Sequence, residues 1–87
     1  MAKDRSDEAM VGRMIGRVKL LIALSDEIPI ETKLNTQQLI KMFEAALEEP
    51  GAQSLSASYY RQLYDDLSDY PDLEALLSAM RTFLPHV

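Results

Sequence analysis

Histidine, cysteine and glycine are residues that often reveal an active site, and this chain uses them sparingly. His86 is the only histidine and lies one residue from the end of the sequence, and cysteine is absent. A Cys–His or Ser–His–Asp arrangement, in which a nucleophile needs an oriented base, therefore cannot be assembled inside a pocket. Gly12, Gly16 and Gly51 fit no phosphate-binding loop spacing. The sequence predicts a protein that is not an enzyme and that uses no cofactor.

Four aspartates, Asp65, Asp66, Asp69 and Asp72, are spaced closely enough to suggest a cation site. A calcium-binding loop needs oxygen ligands at alternate positions around a central glycine, whereas Tyr70-Pro71 interrupts this stretch. Charged runs on helices usually face water. We therefore predict that these aspartates solvate one helix end and begin the next helix, with no metal bound.

Four tyrosines lie near these aspartates, at Tyr59, Tyr60, Tyr64 and Tyr70. Tyrosine is enriched at protein interfaces because its ring is apolar and its hydroxyl is polar. Tyr60 and Tyr64 fall on the apolar stripe of their predicted helix and are expected in the core. Tyr59 lies off that stripe. It forms the candidate partner-binding site together with three of the aspartates: Asp65, Asp66 and Asp69.

Gly12 and Gly16 form a small-xxx-small pattern on the first predicted helix, and Ala23 continues the same strip. Such a strip lets another helix approach closely, and the pattern alone leaves open whether that helix belongs to the same monomer. Surplus apolar residues on this helix favour a second copy, because exposed apolar patches usually mark a partner. We predict a homodimer with six interface residues: Met10, Gly12, Gly16, Leu20, Ala23 and Leu24.

The net charge of −5 is unevenly distributed along the 87 residues. Residues 1–20 carry five basic and three acidic residues, a net of +2, whereas residues 21–87 carry four basic and eleven acidic residues, a net of −7. An acidic surface attracts basic partners and repels nucleic acid and anionic membranes. We therefore expect a protein partner with a basic surface, such as a nucleic-acid-binding protein, and no membrane partner.

The length of the chain predicts one domain. Residues 1–7 are polar and of mixed charge and are expected to form a flexible tail, and residues 8–87 form a single helical domain. Leu20–Ala23 is apolar, but charged residues bracket it too closely for a signal-peptide core or a membrane span. Together with the absence of cysteine, this pattern predicts a cytoplasmic location.

DNA recognition by a helix-turn-helix is the main alternative function. The third predicted helix would be the recognition helix, yet only Arg61 there suits a phosphate, and Asp65 and Asp66 would be repelled. Arg13 and Arg17, one turn apart on helix one, are better placed. The alternative is therefore a dimeric transcriptional or nucleoid-associated regulator that contacts DNA through helix one.

Four helical segments must position these residues. Helix one is expected over about Ser6–Leu24. Pro29 then breaks the helical pattern, and Ile28–Lys33 is expected to be an extended crossover whose isoleucines are held in the core. Helix two is expected to begin at Asn35, a favourable N-cap residue, and to end before Pro50-Gly51.

Helix three is expected to begin at the N-cap Ser56, with Leu55 and Tyr60 in a hydrophobic staple. Helix four is expected to begin at Pro71, because proline suits a first helical position. Four helices with short connections imply a bundle. The sequence thus predicts an all-α fold, a compact four-helix bundle of short helices with an extended crossover between helices one and two.

Residues from about Glu8 to Leu67 resemble the small helical bacterial regulators of biofilm formation and acid resistance. The matching features are the Val11-Gly12 start, the Leu47-Glu48 helix end and a third helix around Tyr60-Arg61. The predicted crossover is longer than in that pattern, and helix four is additional. The resemblance implies a regulator of the biofilm or stress type, which is the DNA-contacting alternative.

The favoured function is a small acidic, non-enzymatic regulatory, adaptor or inhibitor protein that acts through protein–protein interaction. A structural assembly subunit is a third possibility. Salt dependence separates the DNA-contacting alternative from the others, because phosphate contacts weaken steeply with salt whereas an apolar interface does not.

Overall fold

Four helices account for most of the chain in the computed structural model, which describes residues 5–84 and the side chains of residues 9–84. They are α1 (Arg5–Leu24), α2 (Ile30–Glu48), α3 (Gln53–Leu67) and α4 (Pro71–Arg81). No strand occurs among the described residues. The predicted all-α four-helix bundle is confirmed.

One hydrophobic core holds the four helices together. α1 contributes Val11, Ile15, Val18 and Ile22, which are at most 6% exposed. Their spacing of three or four residues places them on one side of a helix. The largest fully buried side chains come from all four helices: Phe43, Ile22, Ile40, Leu63, Leu67, Leu77, Met80, Val18 and Thr36. Burial of these stripes fixes the rotation of each helix and thereby decides which residues remain outside.

The helices pack in a ring in which each contacts two neighbours. The α2–α3 contact is the most extensive, and further contacts join α1 to α4, α1 to α2 and α3 to α4. Lys19 Nζ and Glu44 Oε1 form an ion pair of 3.0 Å between α1 and α2. Gly51, between α2 and α3, has a φ of +82°. Because glycine adopts that conformation without strain, Pro50-Gly51 ends α2 as predicted.

The predicted extended crossover is much shorter than expected. α2 begins at Ile30, not at Asn35, and Pro29 occupies the N-cap position with φ −59° and ψ 150°. A proline restricts the residue before it but leaves the residue after it free to be helical. The helix therefore starts at once, and the Lys33 N–H donates to the Pro29 carbonyl at 2.9 Å. Ile28 is buried as predicted, whereas Ile30 is exposed.

The start of α3 also lies earlier than predicted. α3 begins at Gln53, and Ser56 is already within its first turn, where its hydroxyl donates to the Gln53 carbonyl at 3.0 Å. Leu55 is more than half exposed, so the predicted hydrophobic staple with the buried Tyr60 is wrong. α4 begins at Pro71 as predicted, since the N–H that proline lacks has no helical partner in a first turn.

The first and last described segments, at residues 5 and 84, bear on the predicted tail and on His86. α1 begins one residue before the predicted Ser6 and includes residues 5–7, which were assigned to the flexible tail. α4 is followed by a tight turn in which the Leu84 N–H donates to the Arg81 carbonyl at 3.1 Å. Residues 1–4 and 85–87 lie outside the described residues, and with them the rest of the predicted tail and His86.

Candidate protein-binding surfaces

Two connections at one end of the bundle carry seven acidic residues. Three belong to the α1–α2 connection and the first turn of α2, and four to the end of α3, the α3–α4 connection and the first turn of α4. Six of them are exposed, and one, in the last turn of α3, is half-buried. We name this surface the acidic end, and its residues are Asp26, Glu27, Glu31, Asp65, Asp66, Asp69 and Asp72.

Side-chain hydrogen bonds establish that these segments are neighbours. Asn35 Nδ2, near the start of α2, donates to Asp66 Oδ2 in the last turn of α3 at 3.1 Å. Lys33 Nζ donates to the Ala23 carbonyl at the end of α1 at 3.3 Å, which satisfies a carbonyl that a helix end leaves free. The start of α2 therefore lies beside the ends of both α1 and α3, and the acidic residues of both connections lie at the same end.

Aliphatic side chains are exposed at the same end of the molecule. Ile30 and Leu34, one turn apart at the start of α2, are 67% and 61% exposed. They lie outside because the next buried positions of α2, beginning with Thr36 and Leu39, turn the opposite side of the helix towards the core. Grouped aliphatic side chains on a surface usually mark a contact with another molecule, and here they stand beside carboxylates.

The structure divides the predicted partner site between two places. Asp65, Asp66 and Asp69 belong to the acidic end. Tyr59 lies two turns before Asp66 on α3, about 10 Å away along the helix axis, and lines an open pocket of about 480 Å³ at the α2–α3 turn. Met42 of α2 lines the same pocket. Tyr59 therefore borders an open pocket with a mixed polar and apolar lining at the other end of the α2–α3 pair, apart from the aspartates.

Tyr60 joins α3 to α4 from within the core, as its place on the apolar stripe predicted. It is 3% exposed, and its hydroxyl donates to the Leu77 carbonyl. Burial raises the pKa of Tyr60 because the phenolate would lose its hydration, and the opposing attraction of the Arg81 charge does not compensate. The hydroxyl is therefore held as a neutral donor in a structural contact.

Tyr64 is half-buried and makes a second link between the same two helices. Its hydroxyl donates to Glu74 Oε2 at 2.6 Å, and Ser78 Oγ donates to the same oxygen at 2.8 Å. The hydrogen bond from Tyr64, followed by that from Ser78, lowers the pKa of Glu74 because both stabilise the charged carboxylate. Two tyrosines thus serve the fold, which leaves Tyr59 as the interface candidate among the three on α3.

Most of the predicted dimer face lies on the outer side of α1. Met10 does not share it, because two residues turn a helix by about 200° and so place Met10 on the other side of α1 from Gly12. Gly12, Gly16 and Ala23 are exposed, Leu20 is more than half exposed, and Met10 is half-buried. A Cβ atom placed on either glycine would meet no atom within 4 Å in the described part of the chain. Close packing was the competing explanation for the strip, and the described residues of the monomer show none around the two glycines.

The acidic end is a spread of charge over several segments. Among the described residues, no three histidine, cysteine or carboxylate side chains converge closely enough to hold a metal ion. Like charges distributed over a surface act through their combined electric field. In the same part of the chain, no helix combines the length and the apolar composition needed to cross a membrane.

The predicted partner site did not include Asp26, Glu27 and Glu31, which lie at the same end of the bundle as the later aspartates. A signal was available, because in a bundle with short connections consecutive helices run in opposite directions, and alternate connections then lie at the same end. The predicted extended crossover assigned the first turn of α2 to a connection, so the position of Glu31 at the start of a helix was not recognised. The same error assigned Ile30 to the core, although it is exposed beside Glu31.

No family model, curated protein or solved structure matches the chain. The resemblance to bacterial regulators of biofilm formation and acid resistance therefore stays a prediction from the motifs quoted above.

Proposed function

We propose that this protein is a small acidic, non-enzymatic regulator, adaptor or inhibitor of the cytoplasm that acts by binding another protein. The proposed docking surface is the acidic end, and the partner presents a basic surface with apolar side chains at its centre. The observation that carries the proposal is the exposure of Ile30 and Leu34 at the end of the bundle that also carries seven carboxylates.

In such a complex the carboxylates affect the rate of association, and the exposed aliphatic side chains affect the binding free energy. Carboxylates grouped at one end create a negative potential that speeds the encounter with a basic partner. Aliphatic side chains at the water-excluded centre of an interface then supply binding free energy, because desolvated central contacts contribute most. A DNA- or RNA-binding protein fits this description, and occupation of its basic site would make the present protein an inhibitor.

Tyr59 and its pocket form a secondary contact area in this proposal. α3 contains 15 residues and is therefore about 22 Å long. A partner segment that lies along α3 would reach from Asp65 and Asp69 to the pocket lined by Met42 and Tyr59. The tyrosine ring would add apolar contact area there while its hydroxyl stays available to polar groups.

Charge reversal at the acidic end tests the proposal. Asp65→Lys with Asp69→Lys changes two exposed carboxylates and spares Asp66, whose hydrogen bond to Asn35 belongs to the fold. Wild type and variant serve as baits in a lysate of the native host, and captured proteins are quantified by mass spectrometry. We expect basic proteins that bind wild type to be lost with the variant, and the association rate of the purified wild-type complex to fall as salt is added.

Glu48→Lys is the matched control for Asp69→Lys alone. Glu48 is exposed, its substitution changes the net charge by the same amount as Asp69→Lys, and it lies at the other end of α2, outside the lining of the pocket that Tyr59 borders. The Glu48→Lys bait should retain the basic proteins, and the Asp69→Lys bait should capture less of them. Equal capture by wild type and the acidic-end variants would contradict docking at the acidic end, and equal loss from Glu48→Lys and Asp69→Lys would show that only net charge matters.

A second candidate function is a dimeric regulator that contacts DNA through α1. The observation that favours it is that Arg13 and Arg17 are both exposed one turn apart on α1. Binding of a DNA duplex is measured at roughly 50 and 200 mM salt, because phosphate contacts weaken steeply over that range. Arg13→Ala with Arg17→Ala should reduce both the affinity and its salt dependence. Binding that is absent at low salt, or that survives the substitutions unchanged, excludes this candidate.

A further inference from the structure

The monomer gives no reason for Gly12 and Gly16. Glycine is among the poorest helix formers in a helix interior, yet both lie well inside α1. Neither has a positive φ, which among the described glycines belongs to Gly51. A Cβ on either would meet no atom within 4 Å in the described region. At an exposed helix surface, a missing side chain still allows the close approach of another molecule.

The two glycines belong to a row of four exposed residues on the outer side of α1. A spacing of four places Gly12, Gly16, Leu20 and Leu24 along one ridge line of the helix surface. The first half of the row lacks side chains, and the second half carries leucines that are 58% and 70% exposed. The row is therefore a groove followed by a ridge.

We propose that a second copy of this chain docks on this row, with the two α1 helices antiparallel about a twofold axis between positions 16 and 20. In that register Leu20 of each copy lies against Gly16 of the other, and Leu24 lies against Gly12. When the row is rotated by 180°, its two leucines face the two glycines of the original row, so the surface is complementary to itself. A twofold interface requires this property because the same patch must serve on both sides. The dimer goes beyond the proposed function and does not depend on it.

The charges on and beside α1 favour the antiparallel direction. Arg13 and Arg17 are exposed within the helix, and Asp26 and Glu27 are exposed just beyond its end. Antiparallel pairing brings Arg13 of each copy towards Asp26 and Glu27 of the other, whereas parallel pairing places every charge against the same charge of the second copy. Arg17 lies near the twofold axis, opposite Lys19 of the second copy, whose charge is paired with Glu44 of its own chain. In the proposed register Arg13 lies opposite Ala23 of the second copy, about one helical turn (~5 Å) from Asp26. An extended arginine side chain spans that distance. Lys33 Nζ donates to the Ala23 carbonyl, so the attraction of Arg13 depends on the two carboxylates of Asp26 and Glu27 together.

Sedimentation equilibrium of the full chain tests the proposal. At high micromolar concentration the wild type should have twice the monomer mass of 9.8 kDa. Gly16→Leu fills the groove and should weaken the dimer at least about tenfold in Kd, the equivalent of about 1.4 kcal/mol. Helicity by circular dichroism should be retained, because leucine is a better helix former than glycine and finds open space at that position in the monomer.

A complementation experiment tests the register itself. In Leu20→Gly, glycine lies against glycine at positions 16 and 20, so the leucine contact is lost and the dimer should also weaken about tenfold or more. In a mixture of the two single variants, the leucine introduced at position 16 lies against the glycine introduced at position 20. Leu20 of the first variant then lies against Gly16 of the second. The mixed dimer should be at least about tenfold tighter than either variant alone.

Leu55→Gly is the matched control for the loss of an exposed leucine. Leu55 is 54% exposed on α3, close to the 58% of Leu20 on α1, and its substitution should leave the dimer unchanged. A wild-type chain that stays at 9.8 kDa would overturn the proposal. A Gly16→Leu dimer as tight as wild type would overturn it too, as would a mixture no tighter than its components.

Discussion

The Tyr64 hydroxyl and the Glu74 carboxylate lie 2.6 Å apart and join α3 to α4, beside the buried contact of Tyr60 with the Leu77 carbonyl. Two hydroxyl hydrogen bonds thus supplement the apolar packing between these helices. Each pair contains a group whose pKa is shifted, Glu74 downwards and Tyr60 upwards. The α3–α4 contact should therefore respond to both acid and base, by different residues.

Acid should weaken the α3–α4 contact through Glu74. Its folded-state pKa is lowered, so its stabilising contribution is present above the unfolded glutamate pKa of about 4.3 and is lost as the pH falls through the folded value. Tyr64→Phe removes the larger cause of that shift. The variant should lower the free energy of unfolding more at pH 7 than at about pH 3, measured by urea denaturation. Glu74→Gln, which cannot titrate, should show the same flattened pH dependence, and an equal loss for Tyr64→Phe at both pH values would contradict this account.

Base should weaken the same contact through Tyr60. Its pKa is raised, so the stabilising contribution is complete below the unfolded tyrosine pKa of about 10 and is lost as the pH rises through the folded value. Tyr60→Phe should lower the free energy of unfolding at pH 7 by about 0.5–1.5 kcal/mol, a typical net value for one hydrogen bond. It should also lose less stability than wild type above pH 10. Tyr59→Phe, on the same helix but half-buried, is the comparison variant and should change neither quantity appreciably.

Substitutions at Gly51 and Gly12 should have opposite signs. Gly51 has a φ of +82°, a conformation that costs an alanine about 1–2 kcal/mol, so Gly51→Ala should destabilise the protein by that amount. Gly12 lies inside α1 with open space around it, so Gly12→Ala should stabilise the monomer by up to about 1 kcal/mol. Chemical denaturation at low protein concentration measures both. A stabilised Gly51→Ala variant would contradict the assigned turn conformation.

The inward faces of the helices could be predicted residue by residue. Helical spacing predicts an apolar stripe of six residues on α1. Four of them are buried, Val11, Ile15, Val18 and Ile22, and two are half-buried and pack against the core, Met14 and Leu21. The same reasoning separated Tyr60, which is buried, from Tyr59, which is not. These predictions succeed because a helix that buries one side leaves no choice about which residues lie on that side.

The helix starts were less predictable, because capping is a weak local signal. An N-cap side chain contributes only about 1 kcal/mol, so it does not prevent a helix from starting earlier, as α2 does after Pro29. Asn35 was assigned as a cap, but it lies inside α2 and donates to Asp66 on α3. Thr36 was not assigned to the core, yet it is fully buried, with its hydroxyl bonded to the Thr32 carbonyl of its own helix at 2.7 Å. Because the hydroxyl has a hydrogen-bond partner within its own helix, its burial does not leave a polar group unpaired.

By itself the sequence determined four helices, their apolar stripes and the breaks at Pro29 and Pro50-Gly51, because periodicity and backbone restriction act over a few residues. Only the tertiary structure decided that Asp26 and Asp65 lie at one end of the bundle and that Gly16 is exposed on the side of α1 that does not face the core. The physical reason is that the packing of the apolar faces of all four helices across the core determines which residues of different helices become neighbours. Spacing within a single helix does not contain that long-range information.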